Sequence, residues 1–157
     1  MAARTTKKAQ EAVNAKTLKM KEFLEANKIE CFEIEERKDE NETAIFRSRM
    51  QIKGQVLPFA VLIDRSVYVH LQVQLVSAAV KDQVFTNMFP YLNELNNNYR
   101  MFKFAVTPQG DLLLNVCVTS GNEQFDPALL NAILGEIVKF LDSQYASIME
   151  HVWKENK

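Results

Sequence analysis

Glycine and proline are scarce, four of each in 157 residues. That scarcity excludes collagen-like and low-complexity classes. The glycines Gly54, Gly110, Gly121 and Gly135 stand far apart, so no glycine loop exists to cradle a phosphate. There are two cysteines, Cys31 and Cys117, without a C-x-x-C, which suits a reducing cytoplasm better than a stapled secreted fold. The two histidines, His70 and His151, form no H-x-x-x-H, and zinc needs three or four ligands. Charge of one sign is missing as well: 19 Lys and Arg against 20 Asp and Glu leave a net charge of -1, so no strong field draws the chain to nucleic acid or anionic lipid. No apolar run approaches the roughly 20 residues of a membrane span. The polar start Ala-Ala-Arg-Thr-Thr-Lys-Lys has no apolar stretch behind it, so no secretory signal is expected. No G-x-S-x-G is present, and the carboxylates fall on solvated faces and turns rather than in acid–base pairs. Catalytic residues, cofactors and metal ligands are therefore not expected.

What is present is alternation of two periods. Residues 1–8 are basic and aperiodic and read as a disordered arm, with one domain over 9–157. A helix follows with Val13, Leu18, Phe23 and Leu24 on its stripe and Asn27 as its stop. From about residue 29 the period becomes two. Phe32 and Ile34 alternate with glutamates, and Phe46 and Met50 with Arg47 and Arg49. Pairing Glu35 with Arg47 also sets Glu33 opposite Arg49 and Phe32 opposite Met50. Lys53-Gly54 is a tight turn that brings Met50 opposite Leu57 and Phe46 opposite Val61. Asp64-Arg65-Ser66 turns the chain into Val67, Val69, Leu71 and Val73. The result is a four-stranded antiparallel meander whose inner face carries Phe32, Phe46, Met50, Leu57, Phe59, Val61, Ile63, Val67, Val69, Leu71 and Val73. Pro58 has no N–H in what reads as a central strand, so a bulge or an unpaired position is expected there.

Residues 78–98 return to helical spacing through Val80, Val84, Met88, Tyr91 or Leu92, and Leu95. Pro90 predicts a bend near Phe89, and Asn96-Asn97-Asn98 ends the helix. A second hairpin turns at Thr107-Pro108-Gln109-Gly110, a type I signature, with Phe104 opposite Leu114. The last helix starts at an Asp126 N-cap with Pro127 at its first position and a Phe125–Leu130 staple. Its stripe runs Leu130, Leu134, Ile137, Leu141, Tyr145, Ile148, Val152.

That helix, at about 28 residues, is roughly 42 Å long. Strands of about seven residues span roughly 23 Å. An overhang follows, yet its apolar residues do not fade, and a contiguous apolar patch is unusual on a soluble monomer. Leu141, Tyr145, Ile148, Met149, Val152 and Trp153 are the predicted protein interface, with a second copy of the chain as the expected cover. The alternative is that the first helix covers them. A second candidate surface is the outward sheet face, where Leu62, Tyr68, His70 and Gln72 mix apolar and polar character. Two readings compete with protein binding: a small-ligand binder or enzyme with a helix–sheet pocket near Cys117 and His70, and a regulator touching nucleic acid through Arg4, Lys7, Lys8, Lys16, Lys19 and Lys21.

The order helix, four strands, helix, two strands, long helix carries a resemblance. The segment Phe89-Pro-Tyr-Leu-Asn-Glu-Leu-Asn-Asn-Asn-Tyr99, then Phe102-Lys-Phe104, Gly110-Asp111-Leu112 and Leu141-Asp-Ser-Gln-Tyr145, is similar to the YbjN-like family of bacterial proteins, sometimes labelled sensory-transduction regulators. The resemblance implies an α+β fold in the order α-β-β-β-β-α-β-β-α, shared with type III secretion chaperones. It also implies frequent dimers and no catalytic residues. The expectation is a non-enzymatic, cytoplasmic, dimeric protein-binding module of a bacterium, chaperone-like or an adaptor, with an unidentified protein client and no membrane contact.

Overall fold

A computed structural model describes residues 14–155. The expected arm over residues 1–8, and Val13, lie outside them. The described elements are α1 (Ala15–Ala26), β1 (Glu33–Glu36), β2 (Ala44–Ile52), β3 (Gln55–Ile63), β4 (Tyr68–Val76), α2 (Asp82–Asn98), β5 (Lys103–Val106), β6 (Leu112–Thr119) and α3 (Pro127–Glu155). This is the expected α+β element order. The strands form one six-stranded antiparallel sheet in the order β1-β2-β3-β4-β6-β5. Alternate residues Phe46, Val61, Leu71 and Val116 share a row and are buried with Met88, Leu92, Ile137 and Leu141 in one core. The helices therefore cover one sheet face.

Several local expectations hold. Lys53 and Gly54 both have positive φ, 49° and 78°, the signature of a two-residue type I′ turn, and it sets the expected pairs Met50–Leu57 and Phe46–Val61. Gly110 N–H donates to Thr107 O at 2.9 Å, closing the turn that places Phe104 opposite Leu114. Asp126 caps α3, its Oδ1 accepting from Ala128 N–H at 2.9 Å, and the staple residues Phe125 and Leu130 are both buried. Pro58 is paired with Arg49 of β2 but has no partner in β4, since β3 pairs with β4 over Phe59–Ile63 only.

Other expectations are corrected. In α1 the buried residues are Lys16, Thr17, Met20 and Leu24, while Leu18 is half exposed. The buried stripe runs 16-20-24, because Lys16 turns inward. β1 pairs two residues away from the expected register, with Glu33 opposite Arg47 and Glu35 opposite Ile45. The Phe32 ring packs edge-on against Phe46 and Phe59, with centroids 6.4 and 5.8 Å apart, rather than opposite Met50. Charge could not choose between the registers: Glu35 still bonds Arg47, and Arg37 from its own strand side. Val67 is exposed in the turn before β4, and Ile34 is exposed on the edge strand. α2 begins at Asp82 rather than 78 and includes Pro90 within its span.

The largest correction concerns the overhang. Leu141, Ile148 and Val152 are fully buried within the chain's own core. The arms of the β2–β3 hairpin are nine residues each, longer than expected, and β4 also runs on to Val76. Met50, Ile52 and Leu57 near the hairpin tip, with Leu75 and Val76, belong to the same core as Ile148 and Val152. α1 also touches α3.

Candidate functional site

Burial leaves three of the six predicted interface residues within reach of a partner. Tyr145 and Met149 are half buried and Trp153 is 55% exposed. They line a cleft of about 590 Å³ between α3 and the sheet, with Lys53, Gln55, Leu75, Val76 and Ser77 opposite. Burial pushes the Tyr145 hydroxyl pKa above its ordinary value. The apolar seam is thus real but short, and it ends in an exposed indole.

Among the described residues, the other sheet face carries no helix. Its rows follow from the register: Glu33, Arg47, Ala60, Gln72, Asn115 and Lys103 form one row across all six strands. Leu62, His70 and Cys117 are neighbours in the next row. Of the predicted second surface, Leu62, His70 and Gln72 are half buried and Tyr68 is 53% exposed. Gln72 Nε2 donates to Asn115 Oδ1 at 3.0 Å, which fixes the amide pair at the centre of the face. A groove of about 700 Å³ opens here, with Pro58, Ala60, Gln72, Gln74 and Leu113 among its lining residues and Arg47 and Arg49 on the β2 side. The small residues Pro58 and Ala60 leave the trough; the longer side chains rim it. At its β1 side Arg47 and Arg37 hold the Glu35 carboxyl below the usual carboxylate range.

His70 and Cys117 are brought side by side, but Cys117 is exposed, no hydrogen bond joins their side chains, and neither lines either hollow. His70 and Cys117 lie on the face turned away from the described helices, and the helix–sheet cleft described above is at the Trp153 end instead. His151 is not a plain surface residue. Its ring stacks on Tyr91 with centroids 3.6 Å apart and planes 2° from parallel, joining α3 to α2. Tyr91 is raised above the ordinary phenol pKa, chiefly by burial. Among the described residues no group of three or more His, Cys, Asp or Glu is placed to hold a metal, and no helix is long and apolar enough to cross a membrane.

Two features escaped the sequence reading. Lys16 is fully buried, its Nζ donating to Ser66 O, Tyr68 O and Ser120 O at 2.6, 3.0 and 3.3 Å. A lysine run on an amphipathic helix gives no signal for which lysine points inward. On α2, Phe85 and Phe89 pack edge-on at 6.2 Å and are 40% and 56% exposed. Their i, i+4 spacing off the buried stripe was the available signal.

The arrangement matches one known architecture. The chain is similar to a chain in the crystal structure of the ExsC–ExsE complex, with a TM-score of 0.54 and 14% identity, over 83% of this chain and 94% of that one. The fold is that of the type III secretion chaperones. No model of a protein family matches the sequence, and no curated protein matches it. At 14% identity the likeness speaks for the fold alone.

Proposed function

We propose that this chain is a non-enzymatic protein-binding module of the YbjN-like type, chaperone-like or an adaptor, that works as a homodimer in the bacterial cytoplasm. The observation that carries the reading is the bare sheet face. With the described helices packed on one side, Leu62, Tyr68, His70, Gln72 and Leu113 stand in a broad, part-apolar surface of the chain. Such a face suits side chains and backbone of another polypeptide better than a small molecule, which favours an enclosed, largely apolar pocket. The neighbour in fold was solved as a complex of two proteins, which agrees with this reading. The self-association surface is the Tyr145–Met149–Trp153 seam.

The test has two arms. Suppression of aggregation of a chemically unfolded model protein is expected for the wild type and is expected to drop in Tyr68→Asp with folding intact. Absence of suppression by the wild type refutes the chaperone role. Light scattering is expected to give twice the 18.1 kDa chain mass, falling to the chain mass in Trp153→Asp. A wild-type monomer refutes the dimer.

A further inference from the structure

The described sheet has two edges, β1 and β5, and an edge strand is a template for pairing with another chain. β1 guards its edge by charge: Glu33, Glu35 and Glu36 are three carboxylates in four exposed residues. β5, Lys103-Phe104-Ala105-Val106, has one charged residue and no proline, and Met101 and Phe102 before it are apolar. Short apolar segments of this kind pair readily with copies of themselves. Charge does not guard this second edge.

Backbone direction shows which groups of β5 are at stake. Thr107 N–H donates to Asp111 O at 3.0 Å across the hairpin. Successive residues of an antiparallel strand turn their N–H and C=O groups to opposite sides. Ala105 and Lys103 therefore turn theirs to β6, and Phe104 turns its pair away from it. Both of these outward groups are taken. Phe104 N–H donates to Asn96 Oδ1 at 2.6 Å, and Asn96 Nδ2 donates to Phe104 O at 3.1 Å. A carboxamide carries the donor and the acceptor of a peptide group. One side chain from the last turn of α2 thus gives Phe104 what a residue of a neighbouring strand would give. Other contacts brace the joint. Lys103, opposite Asn115 in the outer-face row, donates its Nζ to Asn96 O and Tyr99 O at 2.5 and 2.8 Å. The Phe140 ring packs against Tyr99, Phe102 and Phe104, with centroids 4.7, 4.5 and 6.0 Å away. These contacts hold the end of α2 against β5 independently of the Asn96 amide.

We propose that Asn96 is the guard of the β5 edge: its amide occupies the hydrogen-bonding groups through which a second copy of this chain would add its own β5. Symmetry sets the pairing that is excluded. Two β5 strands laid antiparallel, Phe104 opposite Phe104, exchange both N–H···O bonds, the exchange that Asn96 now imitates. The same register sets Ala105 opposite Lys103 of the partner subunit. The claim stands apart from the protein-binding reading and from the self-association seam at Tyr145, Met149 and Trp153.

The experiment compares the full chain with its variants by sedimentation over a concentration series, with circular dichroism to follow folding. Asn96→Ala is expected to fold and, as concentration rises, to reach about twice the wild-type mass or more. In dilute solution, before that mass appears, exchange of its Phe104 N–H is expected to be about tenfold faster than in the wild type. Asn96→Ala with Ala105→Lys is expected to return to the wild-type mass, because like charges then stand directly opposite across the new ladder. Should Asn96→Ala fail to fold, Asn96→Ser, whose side chain is too short to bridge both atoms of Phe104, carries the same expectations. A folded variant that keeps the wild-type mass at every concentration makes Asn96 a tie between helix and strand only, and overturns the guard. Extra mass that persists with Ala105→Lys places the association elsewhere and overturns it as well.

Discussion

Lys16 shows how one side chain can set the position of a helix. An ammonium has three N–H donors, and three carbonyls converge on it. They come from the β3–β4 turn, from β4 and from the residue after β6, so α1 is pinned to both. Replacement by methionine keeps the apolar stem and leaves those carbonyls without their donor, a loss expected to lower stability by about 1–3 kcal/mol in urea unfolding. The pH dependence has a definite sign. Burial lowers the Lys16 pKa below its ordinary value, against a smaller opposing pull from Asp64. Between its lowered folded value and the ordinary lysine value the unfolded chain binds more protons than the folded one. This group's contribution therefore costs stability below the folded pKa, and the cost is relieved as pH rises through that window. Stability measured along an alkaline series is expected to carry this upward component in the wild type and to lack it in Lys16→Met. Equal slopes in the two proteins would show that Lys16 does not titrate in folding.

At the scale of elements, termini and turns do most of the specifying. Asp126 satisfies an otherwise unpaired N–H at the start of α3. Asp126→Ala is expected to cost about 1 kcal/mol, read as a lower midpoint of thermal unfolding. Gly54 sits at φ 78° with open space where a Cβ would stand, so Gly54→Val tests backbone strain rather than a clash at Cβ. A β-branched residue there is expected to destabilise by about 1–2 kcal/mol. These signals were legible in the sequence because caps and turns are local chemistry: Lys53-Gly54, Thr107-Pro108-Gln109-Gly110 and Phe125-Asp126-Pro127 each set their own geometry. The β1 register was not legible, since Glu35 finds Arg47 directly or diagonally and ion pairs of this kind discriminate weakly. Phe32 decided it, through contacts with Phe46 and Phe59 that depend on strands far along the chain. The end of the β3–β4 ladder at Pro58 was half legible. The missing N–H could be read, but that both strands run on past the end of their ladder could not.

For the whole molecule, the question is where the chain's own core ends and a partner's surface begins along α3. Periodicity alone grouped Leu141, Tyr145, Ile148, Met149, Val152 and Trp153 as one seam, because a stripe reports which side of a helix is apolar and not what covers it. Cover was set by the reach of the β2–β3 hairpin, whose length depends on pairing that no local pattern states. The structure divides the stripe: Ile148 and Val152 are sealed at 0% exposure, and Trp153, one residue on, is 55% exposed. The two halves should answer differently to truncation. Ile148→Ala removes a side chain packed on all sides and leaves a cavity, so it is expected to cost about 2–5 kcal/mol of folding stability. If Ile148 touches no partner, the oligomeric state of the folded protein stays the same. Trp153→Ala removes a large, half-solvated surface and is expected to change folding stability within about 1 kcal/mol while weakening self-association. Chemical unfolding and light scattering on the two variants separate the cases. An unfolding midpoint moved more by Trp153→Ala than by Ile148→Ala would place the boundary of the core beyond the end of the hairpin, and the seam would then belong to the fold rather than to a second chain.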